Sequence, residues 1–118
     1  MASLEPSGNY GTVFYITTSG SEETAYTVPD AYPAVYIQQI RCVDDGGAAR
    51  TISITVRQTG SGTAYYVAGL LTPIPALAWL DLEFDPLVIN KGGIIKVIGS
   101  AAGIHIQISF VQLPRGST

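Results

Sequence analysis

The chain has 118 residues, a net charge of −3, and only 13% charged residues against 47% apolar ones. That is enough apolar material for one compact domain. The acidic balance, with Arg41, Arg50, Arg57, Lys91, Lys96 and Arg115 scattered along the chain, excludes a general nucleic-acid binder, which needs a concentrated basic face. No window approaches the roughly 18 consecutive apolar residues of a membrane span, so no membrane partner is expected. Met1-Ala2-Ser3-Leu4-Glu5-Pro6 has neither the basic nor the apolar region of a secretory signal, and the chain reads as folded in a cytoplasm. Polar positions are filled by Thr, Ser, Gln, Gly and Tyr rather than by charge. Such a surface suits a protein covered by copies of itself, and also a secreted β-protein; self-assembly is the favoured expectation.

Residues 1–10 read as an exposed arm that offers partner contact. The first strand-like run is 12–17. The second, 34–43, carries Val35 and Ile37 on one parity and Ile40 and Cys42 on the other. That switch predicts a bulge near Gln38-Gln39 or a strand passing between sheets. Along 51–57, Ile52, Ile54 and Val56 are expected to point inward and Thr51, Ser53, Thr55 and Arg57 outward. Further strands are expected at 63–68 and at 77–84, where Leu80, Leu82 and Phe84 alternate with Trp79, Asp81 and Glu83. The run 94–98 is apolar on both faces, as a central strand should be. The clearest alternation is the last, 103–113, with Ile104, Ile106, Ile108 and Phe110 on one face and His105, Gln107 and Ser109 on the other. Breakers separate these runs: Gly20, Pro29-Asp30, Pro33, Asp45-Gly46-Gly47, Gly60-Ser61-Gly62, Pro73-Ile74-Pro75, Asp85-Pro86, Gly92-Gly93 and Gly99. No amphipathic helix of ten or more residues is found. The expectation is an all-β chain: one antiparallel β-sandwich over residues 11–113, about eight strands, ending in a tail at 114–118.

No constellation of catalytic residues is found, and no cofactor is expected. Cys42 is the single cysteine, sits in an apolar run, and reads as a buried small hydrophobe. His105, the single histidine, lies on the outward parity of its strand and lacks the companions a zinc site needs. Asp81, Glu83 and Asp85 share a strand face. One strand cannot flank a sugar from both sides as glycosidase carboxylates do, and a calcium ion would need further ligands such as Asp44 and Asp45. The plain expectation for them is a solvated acidic stripe. Asn90-Lys91-Gly92-Gly93 lacks the spacing of a phosphate loop and reads as a tight turn. Tyr65, Tyr66, Trp79 and Tyr10 are the interface candidates; Trp79 with Tyr65-Tyr66 would also serve as a sugar-stacking platform. Partial burial under a loop is expected for Trp79.

The order of several segments resembles a family of small virion proteins of tailed bacteriophages. They are Ile37-Gln-Gln-Ile-Arg-Cys-Val43, Thr63-Ala-Tyr-Tyr-Val-Ala68, Pro73-Ile-Pro75, Pro86-Leu-Val-Ile-Asn-Lys-Gly-Gly-Ile-Ile-Lys-Val97 and Gly103-Ile-His-Ile-Gln-Ile-Ser-Phe110. The turn into the strand after Asn90 also recurs in cupin-like and tumour-necrosis-factor-like jelly rolls. Many such relatives carry Asp after the turn glycine, where this chain has Gly93, and the cupin metal ligands are absent. The resemblance implies a jelly-roll sandwich, often trimeric, that decorates or cements the outer surface of a capsid by binding the major capsid protein. A tail or head–tail component and a carbohydrate-binding module for host attachment are the alternatives.

Overall fold

The computed structural model describes residues 9–29, 33–44, 50–59, 62–75 and 79–112. Residues 1–8 of the expected arm, the tail 114–118, Leu77, and the expected breakers at Asp30, Asp45-Gly46-Gly47 and Gly60-Ser61 lie outside the described residues. Among the described residues there are eight strands: β1 (Asn9–Ile16), β2 (Glu22–Thr27), β3 (Ala34–Asp44), β4 (Arg50–Arg57), β5 (Tyr65–Ile74), β6 (Trp79–Asn90), β7 (Ile94–Gly99) and β8 (Ile104–Gln112). They form two four-stranded sheets, ordered β1-β8-β3-β6 and β2-β7-β4-β5, and all pairings are antiparallel. Strand 1 pairs with 8, 2 with 7, 3 with 6 and 4 with 5, so the chain is one long folded-over hairpin rolled into a sandwich. This is the jelly-roll connectivity.

The sheets meet through a core dominated by isoleucine. Ile37, Ile40, Ile52, Ile54, Ile74, Ile89, Ile95, Ile104, Ile106 and Ile108 are all buried. The β-branched side chain packs well on a pleated surface, and alternation delivers it to the inner face. In β3 the alternation is interrupted: the register to both β6 and β8 shifts between Ile37 and Gln39. This bulge leaves Gln38 exposed and lets Val35 and Ile37 before it, and Ile40 and Cys42 after it, all reach the core.

Two expectations need correction. Ser53 and Thr55 do not face solvent but are 2% and 6% exposed. They are short side chains on an interior strand, flanked across the ladder by the longer Ile98 and Lys96. Asp85-Pro86 does not end a strand, since β6 runs through it, whereas β5 ends at Ile74, within Pro73-Ile74-Pro75 as expected. β6 is an edge strand, where a missing N–H costs no ladder bond. Separately, β2 was hidden in the sequence, because only Ala25 of Glu22–Thr27 is buried. Gly92 and Gly93 make the tight turn into β7 that was expected, Gly92 with φ 78°. The turn is held by Gly93 N–H donating to Asn90 O at 2.9 Å and Gly92 N–H to Val28 O at 3.0 Å.

Candidate interface on the outer face of the first sheet

The outer face of the β1-β8-β3-β6 sheet is a grid of transverse rows set by the strand registers. One end row is Ile16, His105, Val43, Trp79. The next is Phe14, Gln107, Arg41, Asp81, followed by Thr12, Ser109, Gln39, Glu83. The far row is Tyr10, Val111, Tyr36, Val88. Large apolar side chains that remain exposed concentrate here: Phe14 at 74%, Tyr10 at 66%, Trp79 at 55%, Ile16 at 50% and Val88 at 41%. Exposed apolar side chains thus lie at the two ends of the face and along β1, with polar side chains between them on β8, β3 and β6; exposed apolar groups gathered on one face mark a surface suited to contact. Between Phe14, Ile16, Val43 and His105 lies a largely apolar depression of about 360 Å³.

Arg41 organises the polar middle. Its Nε and Nη2 donate to Asp81 Oδ1 and Oδ2 at 2.7 and 2.9 Å, a bidentate geometry that fixes the guanidinium plane. The hydrogen bonds that Arg41 donates hold the Asp81 carboxyl below its usual range and raise the Arg41 guanidinium further. The guanidinium also stands 5.0 Å from the centroid of the Trp79 ring, a cation–π distance. Trp79 is thus held by Arg41 and stays more than half exposed, not covered by a loop as expected.

The other expected site residues fall apart in space. Trp79 pairs with Val43 at the end of β3, whereas Tyr65 pairs with Val56 at the end of β4. Since β3 leads into β4, these are opposite ends of the sandwich, so Trp79 and Tyr65-Tyr66 do not form one platform. Tyr65 and Tyr66, 62% and 54% exposed, belong to the edge strand β5 of the second sheet, and Tyr10 to β1. Asp81 faces outward toward Arg41, while Asp44 is buried against Arg50, Nε to Oδ2 3.5 Å. The acidic groups therefore do not converge, and no group of three or more His, Cys, Asp or Glu is gathered among the described residues. Cys42 is fully buried, and burial pushes its thiol up to about 12, which makes it the packed hydrophobe its surroundings announced.

Phe14, Ile16 and Val88 were not singled out from the sequence. In β1 both parities are apolar, Tyr10, Phe14 and Ile16 against Val13 and Tyr15, so alternation alone did not tell the inner from the outer face. The available signal was the two-sided apolarity itself.

Comparison with known proteins is informative at the level of fold. No family model and no curated protein matches the sequence. Among solved structures, a chain of the infectious bursal disease virus T13 particle is similar over 92% of this chain at 12% identity and a TM-score of 0.53. A chain of the Gx strain of that virus is similar over 93% at 14% identity and a TM-score of 0.53. This chain spans 33% of each of those viral chains. A Bacillus endospore appendage chain, of a family of disulfide-linked pili, is similar over 91% of this chain and 86% of its own length, at 11% identity and a TM-score of 0.51. The chain shares the β-sandwich fold of these viral-particle and endospore-appendage chains.

Proposed function

We propose that the protein is a non-enzymatic structural subunit of a virion, and that the outer face of its first sheet is the surface it presses against other protein. The observation that carries this reading is the gathering of Tyr10, Phe14, Ile16, Trp79 and Val88 on that one face. Support comes from the fold it shares with viral-particle chains, from the low charge of the chain, and from the order of segments resembling small tailed-phage virion proteins. The particular role we propose is head decoration: trimers set on the outer surface of a phage capsid, binding the major capsid protein across its joints and assembled in the host cytoplasm. Such a role requires a rigid domain and complementary surfaces but no chemistry. Modest affinity at each site suffices, because a trimer that engages several capsomers gains effective concentration.

The test is titration of purified protein onto heads that lack it. Saturable binding in multiples of three copies per site, weakened at least tenfold by Trp79→Ala with Phe14→Ser, is expected. Heads that take up none of the protein would overturn the reading. The endospore appendage, matched over most of its length, favours a second structural reading as a filament subunit. Here a disulfide-linked filament is disfavoured, because Cys42 is the single cysteine of the sequence and is buried. Growth of long polymers by the protein alone would decide for the filament.

A further inference from the structure

The four sheet edges differ in how they are protected. An edge strand presents a row of unpaired N–H and C=O groups, and proteins blunt it with charge, proline or a bulge. In β2 the protection is Glu22, Glu23 and a register break between Thr24 and Tyr26. In β5 it is Pro73 and a broken register to β4. In β6 it is Asp81, Glu83, Asp85, Pro86 and the bulge opposite Gln38. β1 has none of these. Its eight residues, Asn9–Ile16, include no charge and no proline, and they pair with β8 in unbroken register from Asn9↔Gln112 to Ile16↔His105. Among the described residues no strand pairs with its other side.

The groups on that side can be assigned. Thr17 N–H donates to Ile104 O at 3.0 Å, so in the antiparallel ladder the odd residues of β1 bond β8. The alternate residues Tyr10, Thr12, Phe14 and Ile16 direct their N–H and C=O to the open edge. The same four residues carry the side chains exposed on the outer face. We infer that the open edge of β1 pairs with β1 of a second copy of this chain, antiparallel across a two-fold axis centred on Val13.

The occupant follows from the chemistry of the edge. Unpaired backbone groups at strand spacing call for another strand, and an uncharged edge offers no preference for a charged partner. Pairing about Val13 sets Tyr10 against Ile16 of the partner and Phe14 against Thr12 of the partner. Every directly opposed pair on the outer face is then an aromatic ring with a β-branched side chain, the favourable cross-strand combination. No like charges meet. Two four-stranded sheets become one of eight, and the exposed Tyr10, Phe14 and Ile16 are shared between copies. This contact does not depend on the decoration role, and it is compatible with trimers, whose copies it links in pairs.

The experiment compares the solution mass of the wild type and of Thr12→Pro across concentration by sedimentation equilibrium. Proline at position 12 deletes an edge-facing N–H and leaves the bonds to β8 intact. The wild-type mass is expected to be an even multiple of 12.4 kDa, and Thr12→Pro is expected to halve it with an unchanged circular dichroism spectrum. Phe14→Lys, at the most exposed large apolar side chain of the strand, is the second variant should proline impair folding, and it is expected to weaken association at least tenfold. A wild type that is monomeric throughout, or an oligomer whose mass neither substitution changes, would overturn the inference. Head binding measured on the same variants keeps the two proposals apart: monomers that still decorate heads sink the β1 contact alone.

Discussion

Glu23 carries more of the local structure than its half-buried position suggests. Its carboxylate accepts from Tyr15 Oη at 2.7 Å, from Thr18 N–H at 2.9 Å, from Thr18 Oγ1 at 2.8 Å and from Ser19 N–H at 3.2 Å. One side chain of β2 thereby holds the turn after β1 and ties the two sheets together at that edge. The hydrogen bonds from Tyr15 and from the Thr18 backbone lower its pKa from 4.5 to about 2. A depressed carboxylate stabilises the fold above its unfolded value, and the stabilisation disappears as pH falls through the folded value. Stability is therefore expected to decline between about pH 4.5 and pH 2. Glu23→Gln should lower the melting temperature at pH 7 by a few degrees and flatten the wild type's loss across that interval. Thermal melts of both proteins at closely spaced pH values measure the difference, which removes the contribution of Asp81 and other carboxylates common to both. Equal pH profiles would contradict the assignment.

At the scale of elements, the most readable parts of the sequence were those where one parity alone is apolar. β8 and the inward Ile52, Ile54 and Val56 of β4 follow directly from alternation, and the parity switch in β3 located the bulge at Gln38. What stayed hidden has a physical reason in each case. The six residues of β2 bury only Ala25, so no hydrophobic period marks them; their strand state is imposed by pairing with β7. The continuation of β6 through Pro86 depends on its being an edge, a property of topology that no local pattern carries. The turn before β7 adds a further lesson. A Cβ at Gly93 would meet Arg57 O at 2.8 Å, Asn90 O at 2.9 Å and Ile89 Cγ2 at 2.4 Å. The Asp found at that place in many jelly-roll relatives has no room here. Gly93→Ala is expected to cost about 1–3 kcal/mol, the usual penalty of forced overpacking, read as a lowered urea midpoint with unchanged slope. Gly92→Ala tests a different cause, its φ of 78° in open space, and should cost about 1–2 kcal/mol. An unchanged urea midpoint at either position would contradict this explanation of the turn.

For the whole molecule, the fold and the surface point the same way. The jelly roll buries an isoleucine core and leaves one sheet face with Tyr10, Phe14, Ile16, Trp79 and Val88 in the open. A chain with only 13% charged residues gains solubility by covering such a face rather than by charging it. The sequence conveyed the shortage of charge and the richness in tyrosine, but not where the apolar side chains gather. The strand registers bring Trp79 and the β1 residues onto one face while sending Tyr65 and Tyr66 to another strand and the opposite end. The proposed contact at β1 and the proposed contact with a capsid both draw on this face, one at its edge and the other across its breadth.

The single tryptophan reports on whether this face is covered. Trp79 is 55% exposed and lies in the end row of the face, beside Val43 and under the Arg41 guanidinium. Its emission should therefore be that of a partly hydrated indole in the isolated chain. Tryptophan emission of the isolated chain is to be compared with that of the chain bound to heads, after subtraction of the spectrum of undecorated heads. A shift to shorter wavelength and protection from acrylamide quenching are expected in the assembled state. Binding that leaves both the wavelength and the quenching of Trp79 unchanged would show that the protein assembles through a different face, and would contradict the account.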